Sequence, residues 1–143
     1  SVVDDFNNIY KVKKGVKISF INDGKNKYLI NGIENRIEQI IANLLDNAVS
    51  FSMRNKEVLV KLSKSNDNKV ILNVLDEGQG FKEKDTNRIF RRFYSNRPDK
   101  FGEHSGLGLN IVKNLVDLHN ATIKASNRID QRGASMEVTF PKV

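Results

Sequence analysis

The sequence contains no cysteine, which excludes disulfides and thiolate metal sites and fits a reducing compartment without establishing one. With only two histidines, His104 and His119, a histidine-based zinc site would need several carboxylates as well. No apolar run approaches the ~20 residues that a membrane-spanning helix requires. The opening Ser1-Val2-Val3-Asp4-Asp5 has no basic region ahead of an apolar core, so no secretory signal is read there. Internal repeats, low-complexity tracts and linkers are also missing. What is present is the composition of a soluble globular domain: 143 residues, 38% hydrophobic and 29% charged, enough to bury one core. A soluble piece of a longer protein would look the same.

The net charge is +7. Basic residues are spread along the chain, with one concentration at Lys82, Lys84, Arg88, Arg91, Arg92, Arg97 and Lys100. Nucleic acid could be held by such a cluster through phosphate neutralisation. The neighbouring Phe81, Phe90, Phe93 and Tyr94, however, are spaced as a buried helix end rather than a stacking platform. A nucleotide polyphosphate or an acidic protein partner explains the charge more economically, and no nucleic-acid partner is expected.

Hydrophobic periodicity gives the elements. Residues 16–21 alternate as a strand, and 28–30 form a second short one. A long amphipathic helix follows over about 34–53, its apolar stripe running through Ile37, Ile40, Ile41, Leu44, Leu45, Ala48 and Phe51. Residues 58–62 and 70–75 make a hairpin around 65–68. A short helix is expected at 85–92 with Asp85 as N-cap, then an aperiodic, mobile loop over 93–105. A second buried helix starts at Gly106-Leu107-Gly108-Leu109, and two final strands lie near 121–126 and 135–140, joined by a turn around Gly133. The class is α+β, a two-layer sandwich whose mixed, mostly antiparallel sheet is covered on one face by two long helices and one short one.

Three local patterns carry chemistry. Asn43 and Asn47 lie one turn apart on the border of the apolar stripe, where uncharged oxygens can help hold a hydrated Mg²⁺ on a nucleotide; two half-exposed asparagines on an ordinary helix are the plainer alternative. Asp76-x-Gly78-x-Gly80 closes a strand with a carboxylate able to accept from an adenine amine and glycines that let backbone approach the base. Alone it is also an ordinary acidic turn. Gly106-Leu107-Gly108 opens a helix whose free N–H groups and positive dipole end suit phosphate, although glycine-rich helix starts are common and no Gly-Lys-Ser/Thr closes a Walker loop.

Together, in this order, these stretches resemble the ATP-binding catalytic domain of bacterial sensor histidine kinases, in the GHKL ATPase superfamily. The resemblance covers nearly the whole chain. Residues 43–52 resemble the asparagine box, 76–80 the first glycine box, Ile89-Phe90-Arg91-Arg92-Phe93-Tyr94 the phenylalanine box, and 106–109 the second glycine box. The run Phe93-Tyr94-Ser95-Asn96-Arg97-Pro98, with Ser50-Phe51-Ser52 before it and Ser105-Gly106-Leu107-Gly108-Leu109 after, is similar to ChvG/ExoS-type kinases of alphaproteobacteria.

The resemblance implies the Bergerat fold, ATP and Mg²⁺ as cofactors, and a set of roles. Asn47 would ligate Mg²⁺ and Asn43 would help position metal and phosphates. Asp76 would accept from the adenine amine, Gly78 and Gly80 would shape that pocket, and Phe51 would pack near the base. Gly106, Leu107, Gly108 and Leu109 would hold phosphate at the helix start. Residues 93–105 would be the ATP lid, with Arg97 reaching the terminal phosphates. It further implies phosphoryl transfer to a histidine on a separate N-terminal dimerisation domain, a response regulator receiver domain as the next partner, and a homodimeric full-length protein. That protein would be anchored in the bacterial inner membrane, with this domain in the cytoplasm.

Two departures matter. Many members carry Lys or Arg where this chain has Ser50, so one phosphate contact is weaker here or falls to Arg54. Hydrolytic relatives such as gyrase and Hsp90 place a glutamate base where this chain has Asn43, and an amide takes no proton from water at neutral pH. Neither histidine fits the phosphoacceptor pattern, which needs a following acid: His104 precedes Ser105, and His119 precedes Asn120 near a helix C-terminus, a favourable place for a protonated ring. A nucleotide-binding docking module that has lost transfer, supported by Ser50, and a gyrase- or Hsp90-like ATPase are the alternatives.

Overall fold

The structure, a computed structural model, describes residues 16–22, 30, 32–52, 56–81, 89–90 and 108–142. In chain order the elements are β1 (Lys17–Ile21), α1 (Glu34–Phe51), β2 (Glu57–Lys64), β3 (Val70–Leu75), α2 (Gly108–Leu118), β4 (Thr122–Asn127) and β5 (Ala134–Phe140). The sheet order is β1-β2-β3-β5-β4. Only β1 and β2 are parallel, and α1 makes the crossover that a parallel pair needs; every other pairing is antiparallel.

Strand alternation sorts the sheet into two chemically distinct faces. One cross-strand row reads Val60, Val74, Met136 and Ala125, and the next reads Leu62, Leu72, Val138 and Ile123. These meet α1 through Ile40, Leu44, Leu45 and Ala48, and α2 through Val112, Leu115 and Val116. The row between them, on the opposite face, is Lys61, Asn73, Glu137 and Lys124, which suits water. The expected α+β sandwich with one covered face is therefore present.

Boundaries differ in two places. The first helix stops at Phe51 rather than 53, because Ser52 turns extended (φ −69°, ψ 145°) and its N–H is shared between the carbonyls of Ala48 and Val49. Ile30, expected as strand, lies outside any strand and packs against the core; the rest of that expected strand falls outside the described residues. Of the expected short helix at 85–92, only Ile89 and Phe90 are described, both buried in the core.

Candidate functional site

Two hydrogen bonds bracket α1 and α2, which run antiparallel. Near the middle of α1, Asn43 donates its Nδ2 to the carbonyl of Gly108, the first residue of α2, at 3.4 Å. At the other end, the N–H of Ile33 donates to Nε2 of His119, just past the end of α2, at 3.2 Å. Ile33 has no side-chain oxygen with which to cap α1, so the imidazole takes one of the amides the helix start would leave unmatched. Gly32 makes room for the ring: a Cβ there would lie 2.8 Å from His119 Cδ2.

The bracket places Asn43 beside the start of α2, with Asn47 one helical turn further along α1. Asn47 is only 5% exposed, and Ser50, also buried, donates its hydroxyl to the Asn47 carbonyl at 2.9 Å. At Gly108 a Cβ would meet nothing within 4 Å among the described residues, so that side of the first turn is open to them. Among the described residues nothing requires glycine there. The N–H groups of a first helical turn have no intrahelical acceptor, and such an opening suits an anionic group brought close to them. The residues present thus fit a polyphosphate with its Mg²⁺: amide oxygens on α1, and a helix N-terminus. Leu109 packs against the core. Gly106, Leu107 and Arg97, the 93–105 lid, His104 and Arg54 lie outside the described residues.

The third part of the site is the segment after β3. Asp76 is 3% exposed. Its Oδ1 accepts the N–H groups of Gly78 at 2.9 Å and Ala134 at 3.0 Å, and its own N–H donates to the Ala134 carbonyl at 3.0 Å. Among the described residues Oδ2 accepts no hydrogen bond. Burial pushes the carboxyl above its ordinary value, opposed by those two amides and by the nearby Arg128 charge. Glycine at 78 is a packing requirement, since a Cβ would sit 2.4 Å from the Phe51 carbonyl oxygen at the end of α1. Gly80 takes φ +78°, a conformation that disfavours side chains.

The turn between β4 and β5 grips this segment. Asn127 accepts from the Phe81 N–H and donates its Nδ2 to the Phe81 carbonyl at 3.1 Å. Arg128 donates Nη1 to the Asp76 carbonyl at 3.2 Å and holds Asp130 with Nε and Nη2 at 3.0 and 2.8 Å. Neither Asn127 nor Arg128 is legible as a site residue in the sequence, where Asn-Arg before a glycine-containing turn looks like solvated loop. His119 lies just past the C-terminus of α2, as expected. It is 8% exposed, its Nδ1 lies 2.8 Å from the Leu115 carbonyl, and its Nε2 accepts from the Ile33 N–H, a tertiary bond the sequence does not display.

Residues 32–143 match the family described as histidine kinase-, DNA gyrase B- and HSP90-like ATPases. The chain is 38% identical over 146 residues to the sensor protein ChvG of Agrobacterium fabrum, covering 97% of this chain and 24% of that protein. To ChvG of Rhizobium meliloti it is 40% identical over 122 residues, covering 80% and 21%. The chain thus spans about a quarter of the length of these curated relatives or less. Among solved structures, the mycobacterial sensor histidine kinase MprB superposes with a TM-score of 0.80 at 22% identity, covering 98% of this chain and 91% of that one. Full-length ShkA in complex with AMPPNP gives a TM-score of 0.81 at 26% identity, covering 98% and 28%.

Proposed function

The chain belongs to the histidine kinase-, DNA gyrase B- and HSP90-like ATPase family, and from that premise we propose that it is the ATP-binding catalytic domain of a sensor histidine kinase. It binds Mg·ATP and passes the γ-phosphoryl group to a histidine on a separate dimerisation domain. The observation that carries this reading is Asp76: buried, locked through Oδ1 by two backbone amides, and left with Oδ2 for a donor such as the adenine amine. Asn43 and Asn47 supply neutral oxygens for Mg²⁺ and phosphates, Phe51 packs near the base, and the start of α2 takes the phosphates. Bound Mg²⁺ would neutralise charge on the β- and γ-phosphates.

Transfer is favoured over hydrolysis by what Asn43 does. Its Nδ2 donates to the Gly108 carbonyl, and a carboxylate at that position has no proton for this bond. An amide is also no base for water. In the transfer step a nitrogen of the acceptor imidazole forms a bond to the γ-phosphorus as the bond to the bridging oxygen breaks, and ADP leaves. Residues outside the described set complete the proposal: Gly106 and Leu107 at the phosphates, Arg97 at the terminal phosphates, residues 93–105 as a lid.

The ChvG likeness supports a wider setting in which the full-length protein is a homodimer anchored in the inner membrane. This domain then lies in the cytoplasm, and a response regulator receiver domain takes the phosphoryl group onward. Among the described residues no helix is long and apolar enough to cross a membrane. The test is calorimetry with ATP and GTP in the presence of Mg²⁺. Preference for ATP is expected, and equal affinity for both would sink the adenine assignment.

A further inference from the structure

We propose that Arg128 is a positioning residue for purine recognition: its guanidinium, seated on the main-chain carbonyl of Asp76, fixes the angle at which the Asp76 carboxylate meets a 6-amino purine. The inference rests on the nucleotide-binding reading above and deepens it. The Arg128 side chain is only 3% exposed, whereas its ion-pair partner Asp130 is 68% exposed. An exposed carboxylate contributes little as an ion-pair partner, so it does not explain why a guanidinium is buried here. The inner end does: Nη1 meets the Asp76 carbonyl at 3.2 Å.

The fit is close on every side. At Gly133 (φ +147°) a Cβ would stand 2.0 Å from the Asp76 carbonyl oxygen and 3.0 Å from Arg128 Cδ, so no side chain is possible between them. Arg128 also donates its own N–H to the Gly133 carbonyl at 2.9 Å. Its neighbour Asn127 holds both polar groups of Phe81. Two consecutive residues of one turn therefore pin residues 76 and 81, the two ends of the segment that presents the carboxylate. Oδ1 is fixed by Gly78 and Ala134 and the Asp76 N–H by the Ala134 carbonyl; Arg128 holds the Asp76 carbonyl, the other polar group of its main chain, and so completes the setting of Oδ2. Its charge also opposes the effect of burial on the carboxyl.

The test compares ATP with purine riboside triphosphate, which lacks the 6-amine, by calorimetry on wild type, Arg128→Met and Asp130→Ala. Arg128→Met is expected to lose about tenfold in ATP affinity, as for a mis-set charge-assisted hydrogen bond. Its affinity for the analogue should stay within about twofold of wild type. Asp130→Ala, which keeps the guanidinium and removes only its outer anchor, should show a smaller loss confined to ATP. Equal losses for both nucleotides, in either variant, would reduce Arg128 to a support of the turn and overturn the proposal. Should Arg128→Met not fold, Asp130→Ala decides by the same comparison. Wild-type protein that binds both nucleotides equally would remove the Asp76 assignment itself, and this proposal with it.

Discussion

His119 Nε2 accepts the backbone N–H of Ile33 at 3.2 Å, tying the end of α2 to the start of α1 across 86 positions of sequence. With Nδ1 2.8 Å from the Leu115 carbonyl, both ring nitrogens are engaged. Asn43 ties the opposite end of α2, so the spacing between the α1 amides and the start of α2 is set by bonds at both ends.

His119→Ala is therefore expected to destabilise the domain. The buried ring is lost, and the Ile33 amide is left without its acceptor; the sum is about 2–4 kcal/mol. A fall in the urea midpoint at unchanged slope checks it. Gly32→Ala should destabilise through the same locus, because its Cβ would crowd the His119 ring at 2.8 Å. Full stability in both variants would argue against the bracket.

Gly78 and Gly108 look alike in the sequence, and the structure separates them. Gly78→Ala drives a Cβ into the Phe51 carbonyl oxygen at 2.4 Å, backbone against backbone, and is expected to lower the melting temperature before any nucleotide is added. Gly108→Ala meets nothing within 4 Å among the described residues and should leave the melting temperature unchanged or slightly raised. Its cost should appear only with ligand, as weaker binding of ATP and little change for adenosine, which has no phosphates. Unchanged ATP affinity would remove Gly108 from the phosphate site.

Most of the fold was legible because it follows periodicities the sequence displays openly. The apolar spacing from Ile37 to Phe51 yields α1, and alternation in residues 58–62 and 70–75 yields the hairpin. Residue type alone singles out Asp76 and the two asparagines as candidates, and the structure buries Asp76 and Asn47. The site was illegible where the chemistry belongs to a contact. Arg128 donates to an Asp76 carbonyl 52 positions away, and His119 accepts an N–H from Ile33 86 positions away. The place of His119 after a helix was legible from the sequence, whereas its bond to the start of α1 was not.

Asp76→Asn should separate stability from binding. Burial raises the Asp76 carboxyl above its ordinary value, so between the unfolded and folded values the native state holds the extra proton. Stability from this group is thus present at low pH and lost as pH rises through the raised folded value. Above that value the ionised carboxylate is a liability to the fold. Asparagine keeps an Oδ1 for Gly78 and Ala134 and removes the charge, so the free domain should be as stable as wild type or more so. ATP affinity should fall about tenfold or more, for a lost charge-assisted bond of roughly 1.5–3 kcal/mol. Thermal melts and calorimetry on the same preparation check both halves.

The last prediction concerns transfer. Alone, the domain is expected to bind ATP yet show almost no self-labelling and very slow phosphate release. Asn43 is an amide, and the one described histidine, His119, is buried with both nitrogens bonded. Mixed with its own dimerisation domain, it should label that domain's histidine and give an acid-labile phosphoramidate. Asn47→Asp should abolish most of this labelling, because a carboxylate at a 5% exposed position beside the phosphates repels the charge the neutral amide accepts. Rapid phosphate release by the isolated chain would instead favour an ATPase, since hydrolysis needs only water where transfer needs a positioned acceptor. Tight ATP binding with no labelling of a folded cognate domain would leave a docking module. The three outcomes differ in where the γ-phosphoryl ends, and one radiolabelled time course reads all of them.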